Sequence, residues 1–228
     1  MTRPALFDRS RRRAALTDVT GGASWVPLLL LFGLNAADEL DRQAFFTLIP
    51  EIRDWFGVSL TAVLAAAAVS AVFSILFAVL VGYLADRYNG VRMVAGGAVL
   101  WATFSFFTGL APTVALLFAA RFGSGATKTF EPAQSSLLAD SYAPNTRANV
   151  FAVFRSGDSV GRFFGPLVAG FLASWFFWQL PFFVFAIPSL VLAFFIVTRM
   201  REPARRMHER RPAAPAPVTP QTEHPPPP

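Results

Sequence analysis

Cysteine is absent from the 228 residues, which excludes disulfides, thiolate metal sites and cysteine nucleophiles and leaves the redox compartment open. Histidine is nearly absent too, because His208 and His224 both lie in the C-terminal tail, beyond the last apolar run. A metal cluster or a nucleophile–base pair therefore has no imidazole to build on in the body of the chain. No catalytic residue, metal or cofactor is expected. Charge is scarce as well. Asp, Glu, Lys and Arg make up 15% of residues, against about a quarter in soluble domains. The net charge of +6 is no footprint of nucleic acid, since the arginines gather at the termini and in short loops. That distribution is a topology signal, and no nucleic-acid partner is expected.

Apolar residues are abundant. They make up 54% of the chain, Phe alone occurs 25 times, and the mean hydropathy is +0.47. A run of about 20 apolar residues crosses the hydrocarbon core as a helix. Six such spans are expected near 25–49, 60–84, 92–111, 113–139, 147–175 and 180–199. Pro50, Asn89-Gly90, Pro112, Pro144 and Pro181 punctuate them at or near the loops. The fold class is thus an all-α membrane protein, a six-helix transmembrane bundle over 25–200. An Arg-rich segment (1–24) precedes it. A basic, Pro-rich tail (201–228) follows, with a composition that cannot bury a core.

Lys and Arg counted by loop give the orientation. One side collects fourteen: five near the N-terminus, Arg87, Arg92, Arg147, and six from Arg199 onward. The other side has Arg53 alone. This asymmetry puts both termini in the cytoplasm of a multi-pass cell (inner) membrane protein, with the lipid bilayer as its first partner. An Arg cluster before the run Val26 to Leu34 also resembles a signal peptide, with Asn35-Ala36-Ala37 as the cleavage region. Cleavage there would discard a helix crowded with charge, which disfavours that reading.

Ionisable residues at mid-span are the informative ones. An unpaired charge at the bilayer centre costs about 2.5–3.5 kcal/mol or more, so such groups face an interior cavity and mark function. Span 1 carries Asn35, Asp38, Glu39, Asp41 and Arg42; span 4 carries Arg121, Lys128 and Glu131; span 5 carries Arg155, Asp158 and Arg162. Asn35, Asp38 and Arg42 share one helix face, and Asp158 sits between Arg155 and Arg162 on another. Five acids face five bases, so most are expected to pair across helices. The remainder would form a polar cavity for substrate or proton. Arg121 and Lys128 are the candidates for contact with an anionic group. Asp38, Asp41 and Glu131 are the candidates for proton coupling, because a low dielectric favours the neutral carboxyl. Gly157, Gly161, Gly165-Pro166 and Gly170 form a small-residue face suited to close helix contact, and span 2 has an Ala/Ser face from Ala65 to Ser74.

Gly82-Tyr-Leu-Ala-Asp86-Arg87, followed by Gly90 and Arg92, resembles the signature loop between spans 2 and 3 of the major facilitator superfamily, with Asn89 as one extra residue. Asp41-Arg42 ahead of Pro50-Glu51-Ile52 and Phe56-Gly57 is similar to the first-span pattern of spinster-like and organic-anion-type members. Arg121, Gly125 and Pro132 resemble the span 4 pattern. The span 5 glycines resemble the antiporter motif, and Arg201-Glu202-Pro203 is similar to a common ending of span 6. The resemblance implies a secondary transporter of a small organic solute. It also implies a cytoplasmic gate held by charge pairs, to which Asp140 would contribute an acid. Members of the family have twelve spans in two six-helix halves around a midplane site, and this sequence corresponds to the first half. Its partner would then be a C-terminal six-helix half or a second copy. The alternative is a non-transporting membrane module that pairs with another helix bundle.

Overall fold

The computed structural model describes residues 19–127 and 130–202, and within them the side chains of Leu76, Ala85 and Asp86 are not described. From Val26 onward the described residues form α1 (Val26–Thr47), α2 (Ile49–Phe56), α3 (Leu60–Arg87) and α4 (Gly90–Leu110). They continue as α5 (Val114–Thr127), α6 (Glu131–Ser141), α7 (Arg147–Trp175) and α8 (Leu180–Arg199). The described residues of the six expected spans are helical over most of their length. By length and composition α3 (through Leu84), α4 and α8 are apolar enough to cross a membrane. The first and fifth spans owe their weaker hydropathy to the charges noted above.

One boundary differs from expectation. Pro50 does not end the first span; it sits in the first turn of α2, where its missing N–H costs nothing, and α2 runs to the left-handed Gly57 (φ 66°). Of the fourth span, expected over 113–139, two helices are described, α5 to Thr127 and α6 from Glu131, with Pro132 in the first turn of α6. Just before α6 the Phe130 ring lies on Gly97 of α4, where an added Cβ would come within 2.7 Å of it.

The tightest helix pair is α1 against α7, followed by α4 against α8. Glycine permits the first. A Cβ on Gly157 would sit 2.9 Å from the Phe32 carbonyl oxygen. One on Gly161 would sit 2.5 Å from Glu39 Cβ and 2.9 Å from the Ala36 carbonyl oxygen, and one on Gly165 would sit 3.1 Å from that of Leu40. The backbones of α1 and α7 are thus in near contact, which is how helices gain van der Waals energy where lipid offers no hydrophobic drive. Gly170 does not belong to this face, since nothing lies within 4 Å of its would-be Cβ. The fourth in-phase position is the buried Ala169. Pro166 is half-buried within α7.

Two apolar clusters close the bundle at its ends. One gathers Leu28, Leu31, Val94, Leu138, Phe154 and Ile196. The other gathers Ala44, Leu48, Ile52, Leu117, Trp178 and Phe182. Most of the ionisable residues lie between them. At the first end Tyr142 ties the loop after α6 to the start of α1: its hydroxyl donates to the Ser24 carbonyl (2.6 Å) and accepts from the Leu28 N–H (3.3 Å). Burial pushes the Tyr142 phenol above its ordinary value near 10, and the Leu28 N–H opposes this. Because the folded phenol holds its proton longer than the unfolded one, stability is complete below pH about 10 and falls as pH rises beyond it.

Replacing Gly161 by Val should destabilise the bundle by about 2 kcal/mol or more, through overpacking against α1. Gly170→Ala should be neutral or slightly stabilising, because Ala is the better helix former. Thermal unfolding in detergent compares the two, and equal effects would refute the assigned packing face.

Candidate functional site

A cavity of about 460 Å³ opens between α1, α3 and α5. α1 presents Asp38, Asp41 and Arg42 to it, α5 presents Arg121, and α3 presents Ser70 and Ser74. Phe45, Phe46, Trp101 and Phe118 supply an apolar wall. The side of α3 is built of small residues because it approaches α5 closely. Gly125 faces Ser74 Oγ and Ser70 Cβ at 3.4 and 3.7 Å from its would-be Cβ. The Ser70 and Ser74 hydroxyls donate to carbonyls one turn back, so neither leaves an unmet donor in the apolar span.

Asp41 anchors the cavity's inner side. Its carboxylate is 1% exposed; Oδ2 accepts from the Arg121 guanidinium at 2.8 Å, and Oδ1 accepts from the Ser105 hydroxyl at 2.6 Å. The guanidinium also lies over the Phe45 ring, 4.3 Å from its centroid, and nearer than 6 Å to that of Phe182. Arg121, expected as an anion contact, is here held by a carboxylate and two rings. Desolvating two charges costs several kcal/mol apiece, so a pair at this depth needs that many partners.

Glu39 forms a second centre between α1 and α7. It is almost fully buried and accepts from Gln43 Nε2 at 2.7 Å and from Arg162 Nε at 3.2 Å, with Arg42 at 3.7 Å. Arg162 therefore reaches across to α1 rather than pairing with Asp158, its neighbour along α7. Arg155 pairs with Glu131 and lies 4.0 Å from Asp158. This third centre is more exposed and borders another cavity, shared with Ser74 and Gly82. Asn35, expected beside Asp38 and Arg42 on one face, has its amide turned to the Phe154 carbonyl of α7 at 3.2 Å. Asn35 still borders, with Asp38, Glu131 and Gln134, a small cavity of about 30 Å³ at the start of α6, room for about one water. Lys128 lies outside the described residues.

At the far end of α3, Gly82 faces open space, and the Arg87 guanidinium stacks over the Tyr83 ring at 4.3 Å. Asn89, the extra residue of the loop, is the N-cap of α4 and accepts from the Arg92 N–H at 3.0 Å. Glu202 completes the cap. Its two carboxylate oxygens accept from the Gly90 and Val91 N–H groups at 2.8 and 2.9 Å, where the helix dipole favours an anion. Asp140 sits in the last turn of α6, on the same end of the bundle.

The family model described as Major Facilitator Superfamily matches residues 31–226. The chain belongs to this superfamily. Its similarity to the lincomycin resistance protein of Streptomyces lincolnensis is 32% identity over 193 residues, covering 82% of this chain and 40% of that one. With human protein spinster homolog 1 it shares 26% identity over 86% of its own length and 38% of the relative's. Among solved structures, a bacterial homologue of the human lysosomal transporter Spinster, in an inward-facing unoccupied conformation, superposes with a TM-score of 0.65. That match is 23% identical and covers 78% of this chain and 43% of the other. The chain thus spans about two-fifths of the length of the curated relatives it matches.

Not apparent from the sequence of this superfamily member were Ser105 and Gln43 as partners of the charged centres and Glu202 as a cap of α4. Ser105 had a weak signal, a hydroxyl amid aromatic residues in an apolar span. Nothing local announced that Gln43 would serve Glu39.

Removing one member of the deepest pair should cost far more than removing one of the exposed pair. Asp41→Leu is expected to destabilise by about 3 kcal/mol by stranding Arg121, and Glu131→Gln by less than about 1 kcal/mol. Denaturant titration of the two variants in detergent checks the ranking, and a reversed order would contradict it.

Proposed function

We propose that this chain is the N-terminal six-helix half of a proton-coupled secondary transporter for a small organic solute. In this reading the cavity between α1, α3 and α5 is its share of the solute site. The observation that carries the reading is the Asp41–Arg121 pair on the cavity's edge. Among the described residues, this carboxylate and guanidinium are held by each other, a hydroxyl and two rings, a pair that one proton weakens. Neutralising Asp41 reduces its hold on Arg121 from an ion pair to a hydrogen bond with a neutral acceptor, which an anionic group of the solute can displace. Arg42 beside it has a buried Nε without an acceptor, so the cavity retains unmet donor capacity for the same group. Lys128 is assigned as a further anion contact on its place in the sequence.

Alternating access needs a second bundle to rock against, supplied by a C-terminal half or by a second copy. The bare face of α3 supports such a partner: Val69, Val72, Phe73, Ile75 and Val79 are all exposed. The arginine distribution supports cytoplasmic termini in the cell inner membrane. On that topology the α3–α4 loop with Asp86, Arg87 and Arg92 acts at the cytoplasmic gate together with Asp140. Residues 25–200 are the transport bundle, flanked by cytoplasmic segments 1–24 and 201–228.

The test is proteoliposomes holding this chain with a matched C-terminal half, given an imposed proton gradient and a panel of small organic anions. Uptake should follow the gradient. Arg121→Ala and Lys128→Ala should each lower it at least about tenfold, the loss of one charge-assisted contact, with membrane insertion unchanged. Uptake indifferent to the gradient, or equal to wild type in both variants, would overturn the reading.

A further inference from the structure

Ser105 has one proton and two acceptors. Its Oγ is fully buried, 2.6 Å from Asp41 Oδ1 on α1 and 3.3 Å from the Phe182 carbonyl oxygen in the first turn of α8. The shorter, charge-assisted contact holds the proton while Asp41 is a carboxylate. The Phe182 carbonyl is also the acceptor for the Ala186 N–H within α8. Three helices thus meet at one hydroxyl, directly behind the cavity.

We propose that Ser105 is a positioning residue that passes the state of Asp41 to α8. When Asp41 is neutral its Oδ2 still accepts from Arg121, and its remaining oxygen, now O–H, donates to Ser105 Oγ. Ser105 can no longer donate in that direction, so its own proton turns to the Phe182 carbonyl. The proton on Asp41 comes from water in the cavity; the hydroxyl only reorients, and no bond to Ser105 is made or broken. The Phe182 carbonyl then serves two donors, and the first turn of α8 loosens at Ala186. The inference rests on the reading above only in taking Asp41 to be neutralised during the cycle. The charged group facing Asp41 is Arg121 from α5. Arg92 and Arg199, the charged residues of α4 and α8, stand at the opposite helix ends from Ser105 and Phe182, and Asp38 and Arg42 border the cavity from α1 itself.

Hydrogen–deuterium exchange of the full chain in lipid nanodiscs tests this without transport. Asp41→Asn imitates the neutral acid, with its carbonyl to Arg121 and its amide N–H to Ser105. It should speed exchange around Ala186 about fivefold, the worth of one weakened hydrogen bond. In a Ser105→Ala background the same substitution should leave Ala186 unchanged. Arg121→Gln, which breaks the ion pair but leaves the carboxylate as Ser105's acceptor, should leave it unchanged too. Should Asp41→Asn fail to fold, acidifying wild type and Ser105→Ala side by side gives the same comparison. An Asp41→Asn effect that survives Ser105→Ala, or no effect at all, would overturn the inference. Proton-independent uptake with the Ser105 dependence intact would instead overturn the coupling reading alone.

Discussion

Burying ionised side chains between helices is the constraint on which the rest of this structure depends. In hydrocarbon a lone carboxylate or guanidinium is too costly to hold, so each must find a partner on another helix, and the helices must stand where the partners meet. Asp41 meets Arg121 and Ser105, which ties α1 to α5 and α4. Glu39 meets Arg162, which ties α1 to α7. Glu131 meets Arg155, which ties α6 to α7. α1 is therefore the hub of the charged layer as well as of the packing.

The glycine face of α7 makes that layer possible. Arg162 reaches Glu39 because Gly161, one residue earlier, lets the two backbones come together at that level. A side chain at Gly161 would push α7 away from α1 and would also part the ion pair. Close packing and charge compensation are one device here, with an apolar cluster toward either end of the bundle.

The packing is lopsided. α1, α4, α7 and α8 form the tightly packed body, whereas α3 rests mainly on α5 and leaves most of its length bare. The cavity opens where the packing is thinnest, between the charged layer and the small residues of α3. The cavity thus has one wall that holds charge and another of small residues with few neighbours.

Much of this was legible in the sequence because lipid imposes simple rules on length and polarity. Runs of apolar residues marked the spans, Gly157, Gly161 and Gly165 marked a contact face, and the balance of five acids and five bases foretold internal pairing. Pairing partners were another matter. Helical spacing placed Asp158 between Arg155 and Arg162 on one face, and the packing of α7 on α1 sent Arg162 to Glu39. It likewise removed Gly170 from the contact face, since the rotation of a helix about its axis is set by its neighbours. The caps on α4 by Asn89 and Glu202 and the hydroxyl of Ser105 behind Asp41 also belong to the tertiary structure. A sequence determines which groups must be buried and compensated. Which of several chemically equal partners does the compensating depends on distances between helices that no local pattern encodes.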